Sequence, residues 1–331
     1  HEHEVVAMNN LSVNLHLLMV SFYRPTKSRN KIIIEAGAFP SDQYMLESQV
    51  KFHGLNPAEV IVELKPREGE HTLRTEDILA EIKKQGDSLS LVNMAGLQYY
   101  TGQLFDMKAI SQAAHSVGAF AGFDLAHAAG NIPLKLHDWE VDFATWCSYK
   151  YLNSGPGNVS GIYVHEKYAE SPDLPRFAGW WGHDEGQRFL MEKGFIPMHG
   201  ADGWQLANSN VLALAAHQAS LDIFQEAGIE NLRKKSFLLT GYLEFLIKKI
   251  SGESGVLEII TPENQLERGC QLSLHIHRGG KAVFDEWYKH GVVGDWRNPN
   301  VIRLAPTPLY NSFEDVFRFA QILEQSIEKF A

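Results

Sequence analysis

The first two-thirds of the chain alternates short apolar, β-rich runs with stretches patterned for helices, and this feature restricts the possible folds most. Strands separated by helices pair in parallel, because a crossover helix returns the chain to the same edge of the sheet. Lys31-Ile32-Ile33-Ile34-Glu35-Ala36 reads as a buried strand, and Ser41-Asp42 is placed to cap a helix over 43–52. Further strands are expected over 88–94, 119–124, 142–147 and 160–165, with a helix opened by Asp106 and ended by Gly118. Gly122, inside one of these strands, marks a place where a neighbour or ligand approaches closely.

The composition changes near residue 205. Two long helical patterns follow, over 208–227 and 231–250, and then strands over 257–261, 271–277 and 301–304 with helices over 281–290 and 312–330. The expected class is α/β, with a mainly parallel sheet in a large domain over 1–207. A linking helix over 208–230 leads to a small α+β domain over 231–331.

Hydrophobic and charged contents of 44% and 21% are those of an ordinary globular protein. The net charge of −10 argues against a nucleic-acid partner, which requires a concentrated basic face. Arg233-Lys234-Lys235 reads as a solvated helix face. No run of about 18 apolar residues suggests a membrane span. Two cysteines, Cys147 and Cys270, leave no disulfide framework and suit a reducing cytosol, with Cys147 read as a small buried hydrophobe. The opening His1-Glu2-His3-Glu4 lacks an initiator methionine, so an N-terminal segment is expected to be missing. Its alternating side chains read as an exposed terminus rather than a metal site.

Four features fall where an α/β sheet gathers its ligands, beyond the carboxyl ends of its strands. Asp124 ends an apolar strand, where a carboxylate needs a cation or donors; a protonated pyridine nitrogen would serve, and so would a helix cap. Lys150 follows the next strand, in Trp146-Cys147-Ser148-Tyr149-Lys150. Desolvation there would free its amine to form an imine, whereas a surface lysine would simply snorkel. Gly155-Pro156-Gly157 adds a close backbone turn. Phe39, after the Ile-rich strand, suits either stacking on a planar ring or core packing. Arg303 lies inside an apolar strand and must meet an anion, either a substrate carboxylate or a structural acid.

These segments belong to a wider set of strings: Phe39-Pro40-Ser41-Asp42, Lys65-Pro66-Arg67-Glu68-Gly69-Glu70, Tyr100-Thr101-Gly102 and Gly122-Phe123-Asp124-Leu125-Ala126-His127. The set continues through Trp146-Cys147-Ser148-Tyr149-Lys150-Tyr151-Leu152-Asn153, Gly179-Trp180, Gly182-His183 and Arg297-Asn298-Pro299-Asn300. With them, from Asn10 to the final helix, the chain resembles kynureninase, a fold-type-I pyridoxal phosphate (PLP) enzyme. The resemblance implies that Lys150 forms the Schiff base and that Asp124 partners the ring nitrogen. It makes Phe39 the stacking aromatic, Leu11 and Ser12 the phosphate binders at a helix start, and Arg303 the carboxylate binder. It also places Pro40, Ser41, Asp42, His127 and Tyr149 at cofactor contacts. Trp180 and Asn208 become cofactor-site residues reaching across a homodimer interface, with Asn208 near the substrate ring.

Ala95 departs from the pattern, standing where a serine is expected near the cofactor, a loss of about 1 kcal/mol net for one hydrogen bond. The implied reaction is hydrolysis of L-kynurenine or its 3-hydroxy derivative to an anthranilate and L-alanine, in cytoplasmic tryptophan degradation and NAD precursor synthesis. Tyr149, beside Lys150, is the expected proton donor and acceptor. The rivals are another fold-type-I enzyme, such as a cysteine desulfurase or an aminotransferase, and a shortened, inactive cofactor-binding chain. Neither cysteine lies in a loop suited to a desulfurase. The choice between kynurenine and its 3-hydroxy form stays open.

Overall fold

The computed structural model describes residues 1–171, 173–252 and 255–330. The apolar runs of the first half become strands of one sheet: β1 (Val5–Ala7), β2 (Lys31–Glu35), β3 (Ile61–Leu64), β4 (Leu89–Ala95), β5 (Phe120–Asp124), β6 (Phe143–Cys147) and β7 (Ser160–Val164). Their order is β1-β7-β6-β5-β4-β2-β3. The run from β3 to β6 pairs in parallel, and β7 lies antiparallel to both β6 and β1. Between the strands run α1 (Leu11–Phe22), α2 (Pro40–Phe52), α3 (Pro57–Val60), α4 (Thr75–Gln85) and α5 (Met107–Ser116).

Both faces of this sheet are covered, which is why its strands read as continuous apolar runs. Ile32 and Ile34 enter the core formed with Leu15 and Phe22 of α1 and Met45 of α2. Ile33 points the other way, into a core with Ile78 and Ile82 of α4 and Ile110 of α5. Each fully buried side chain of this kind contributes about 1.5–3 kcal/mol. Gly122 admits a neighbour rather than a ligand: a Cβ there would lie 2.0 Å from Phe143 Cζ.

The second half builds a smaller lobe from α6 (Val211–Ala227), α7 (Ile229–Ser251), β8 (Leu257–Ile259), β9 (Leu272–Ile276), α8 (Gly280–Lys289), β10 (Asp295–Arg297), β11 (Val301–Leu304) and α9 (Phe313–Phe330). Its sheet has the order β10-β11-β9-β8 and is antiparallel throughout. Leu239 and Leu243 of α7, Trp287 of α8 and Phe319 and Leu323 of α9 pack on it.

Three expectations are corrected. The second helix begins at Pro40, and no side chain caps it; proline suits a first helical position because that N–H has no intrahelical partner. Asp42 instead turns its carboxyl into the interior. Arg233 is buried rather than solvated; it donates to the carbonyls of Gln265 and Arg268 and lies over the Phe237 ring at 4.1 Å. Glu4 is fully buried and accepts from Tyr163 Oη, the Glu166 N–H and the His137 ring, so the His1–Glu4 segment is tied to β7.

Candidate active site

Parallel strands point their carboxyl ends the same way, so the segments after β2, β4, β5 and β6 converge at one edge. A cavity of about 520 Å³ opens there. It brings together ten of the thirteen expected cofactor-site residues: Leu11, Ser12, Phe39, Ser41, Asp42, Ala95, Asp124, His127, Tyr149 and Lys150. Pro40 starts α2 next to the wall without lining it. Trp180 and Asn208 are exposed and lie outside this wall.

The acidic floor has the most unusual electrostatics. Asp124, at the end of β5, accepts from the Ala126 N–H at 2.7 Å, a local turn contact that leaves the carboxyl within hydrogen-bonding reach of Asp42. Burial raises both pKa values, and the negative charges of Asp124 and Glu35 add to the rise at Asp42. Glu35, ending β2, is pushed up to about 8, chiefly by burial; it accepts weakly from the Ala95 N–H at 3.3 Å. Lys150 supplies the compensating positive charge felt by Asp42 and Asp124. Among the described residues, Asp42 Oδ1 is buried without a hydrogen-bond partner. Three crowded acids with an unsatisfied oxygen call for a further cationic donor.

The remaining walls suit a planar ring with an anionic arm. Lys150 Nζ lies 5.6 Å from the centroid of the Phe39 ring, and Phe39 meets Tyr99 edge-on at 5.2 Å. Asn10 caps α1 by accepting from the Val13 N–H at 3.3 Å, so the helix start with Leu11 and Ser12 faces the cavity. The first N–H groups of a helix have no internal partners and favour anions. His127 is held far below its ordinary value by burial first, then by the charges of Lys150, Arg303 and Arg297, so its ring is neutral; its Nδ1 has no partner among the described residues. Tyr149 is pushed up to about 12 by burial and by its neighbour Cys147. Gly157, with a positive φ of 68°, completes the rim where a side chain would be strained.

Arg303 is outside the lining. Its guanidinium pairs with Asp295 of the adjacent strand and donates from Nη1 to the Tyr99 carbonyl at 2.7 Å. Of the two anions considered for it, the structural acid is the one seen. Glu35, whose charge reaches Asp42, and Tyr99, in the cavity wall, are not singled out by the sequence. Glu35 carried the same signal as Asp124, an acid ending an apolar strand; Tyr99 carried none beyond its place beside the Tyr100-Thr101-Gly102 string.

Solved structures place this architecture. The apo cysteine desulfurase of Thermococcus onnurineus NA1 superposes with a TM-score of 0.79 at 16% identity, covering 99% of this chain and 80% of that one. A mutant of C-DES with glycine covalently linked to its PLP cofactor gives 0.79 at 16%, covering 98% and 81%. At these identities the likeness concerns the fold alone, that of the fold-type-I PLP enzymes. Sequence comparison narrows this. The kynureninase of Flavobacterium psychrophilum is 62% identical over 325 residues, covering 98% of this chain and 76% of that protein. The kynureninase of Flavobacterium johnsoniae is 58% identical over the same shares. The model of the kynureninase C-terminal domain matches residues 232–323. The chain belongs to the kynureninase family.

Proposed function

We propose that the chain hydrolyses the Cβ–Cγ bond of L-kynurenine, or of its 3-hydroxy derivative, with PLP as cofactor. The observation that carries this reading is the 62% identity to a kynureninase over 98% of the chain. The cofactor fits the residues present. The start of α1 at Leu11 and Ser12 would hold its phosphate, Phe39 its ring face, and Asp124 with the unsatisfied Asp42 its cationic nitrogen. Lys150 offers the amine for covalent attachment.

Bound PLP supplies an electron sink for the pair released at the substrate Cα. Asp124 keeps the positive charge at the ring nitrogen. Lys150 Nζ, once freed, takes the Cα proton and returns it. Tyr149, protonated at neutral pH, donates and recovers a proton where water attacks the γ-carbonyl. Water is divided across the broken bond: its hydroxyl ends on the acyl carbon as anthranilic acid, and hydrogen ends on Cβ as the methyl of alanine. Arg303, exchanging Asp295 for the substrate carboxylate, orients the amino acid.

The working unit in this reading is a homodimer, with Trp180 and Asn208 completing the partner's cavity. The exposed Phe189, Leu190, Met191, Val211 and Leu212 in the same region support a covered face. Among the described residues no helix is long and apolar enough to cross a membrane. Desulfurase chemistry is disfavoured because both cysteines are buried, with burial pushing the Cys270 thiol up to about 12. The test is addition of kynurenine to the PLP-loaded protein. The matching anthranilate and alanine should form in equal amounts from kynurenine or, in a parallel assay, from its 3-hydroxy derivative; cofactor binding with no anthranilate from either would overturn the reading.

A further inference from the structure

We propose that His71, Glu258 and His275, with His277 beside them, form a divalent-metal site of the Zn²⁺ class that ties the loop before α4 to the smaller lobe. The site is apart from the cofactor cavity, since none of these residues lines it.

Strand register builds most of it. Glu258 of β8 stands directly opposite His275 of β9, so their side chains share a face. His277 lies two residues further on and returns to that face. His71, from the larger lobe, closes the group. The ligand atoms of His71, Glu258 and His275 all lie within 4.8 Å of one another. His71 Nε2 is 3.5 Å from Glu258 Oε1, and His277 Nε2 is 3.6 Å from Glu258 Oε2. A tetrahedral ion with ligands at about 2.1 Å has ligand–ligand edges of roughly 3.4 Å, close to both separations.

A second observation points the same way. The Nδ1 of His275 is buried and has no hydrogen-bond partner among the described residues. A ring nitrogen left in that state is costly unless something binds it. Imidazoles with one carboxylate select a borderline ion such as Zn²⁺, whereas Mg²⁺ and Ca²⁺ take mostly oxygen ligands.

The location gives such an ion leverage. His71 lines a second cavity of about 280 Å³ that shares the Tyr99 wall with the cofactor cavity. In the smaller lobe β9 pairs with β11, where Ser273 opposes Arg303 and His275 opposes Val301. Binding across His71 and His275 therefore fixes the strand of Arg303 against the loop that borders Tyr99. This is a clamp on lobe spacing at the substrate-carboxylate end, and it rests on the proposed role of Arg303 only for that consequence.

The experiment is equilibrium dialysis of the PLP-loaded protein against Zn²⁺, with thermal unfolding alongside. His71→Gln and Glu258→Gln suit the test because both side chains are more than two-fifths exposed, and His290→Gln outside the cluster is the control. The wild type and control should hold one more Zn²⁺ per chain than either variant, and only they should show the associated rise in Tm of several degrees. An equal Zn²⁺ count in the wild type and either variant, including none in all, would overturn the site whatever the catalytic activity.

Discussion

Arg303 Nη1 donates to the carbonyl of Tyr99 at 2.7 Å, joining the strand of the smaller lobe that carries the arginine to the wall of the cofactor cavity. The same guanidinium is paired with Asp295. In the proposed role of Arg303, a substrate carboxylate would replace Asp295, with Tyr99 retained as a fixed point beside the site.

Arg303→Ala should weaken the substrate more than it slows turnover. Losing a charge-assisted pair costs about 1.5–3 kcal/mol, a rise in KM of roughly 10- to 150-fold. Steady-state kinetics on kynurenine checks this. An unchanged KM would leave Arg303 as a purely structural link to Asp295 and Tyr99.

Tyr149→Phe should retain cofactor while turnover falls by about 100-fold or more, the usual scale for losing a positioned proton donor. The ring remains in place, so cofactor content measured by absorbance should change little. Near-normal turnover would remove Tyr149 from the chemistry.

The acidic floor predicts a pH dependence for the cofactor-free protein. Glu35 has a folded value of about 8 against 4.5 in the free residue, so between these values the folded state holds a proton that the unfolded chain releases. Stability therefore falls as pH rises through this window, by up to about 1.4 kcal/mol per unit for one group. Below 6.5 the lowered pKa of buried, neutral His127 works in the opposite sense, destabilising the fold as pH falls. Between 6.5 and 8 the contribution of Glu35 is no longer opposed by that of His127. There Tm should decline with pH in the wild type and stay flatter in Glu35→Gln, which keeps an acceptor for the Ala95 N–H. Parallel curves would contradict this account of Glu35.

Much of this was legible in the sequence because period and punctuation were strong. The run Lys31–Glu35 announced a two-sided buried strand, and Asp106 capped its helix as expected, accepting from the Ala109 N–H at 3.0 Å. The short edge strands β1, β3 and β10 passed unseen, since runs this short carry too little pattern. Helix α4 was missed although its apolar positions Ile78 and Ile82 follow helical spacing. Of the residues that line the cavity, strand ends pointed to Asp124 and Lys150, and the family resemblance to Leu11 and Ser12. What no local pattern carried was pairing across the fold: Arg303 with Asp295 and Tyr99, or the approach of Asp42 to Asp124. Those contacts depend on how the lobes and strand ends meet, which is set by the topology.

The central claim is that Lys150 holds PLP covalently in the cavity bounded by Phe39, Asp124 and the start of α1. The direct measurement is borohydride reduction of the PLP-loaded protein, followed by digestion and peptide mass analysis. The account predicts one pyridoxyl adduct, located on Lys150, and its disappearance together with the visible absorbance in Lys150→Ala. An adduct on a different lysine, or an unchanged absorbance in that variant, would contradict it.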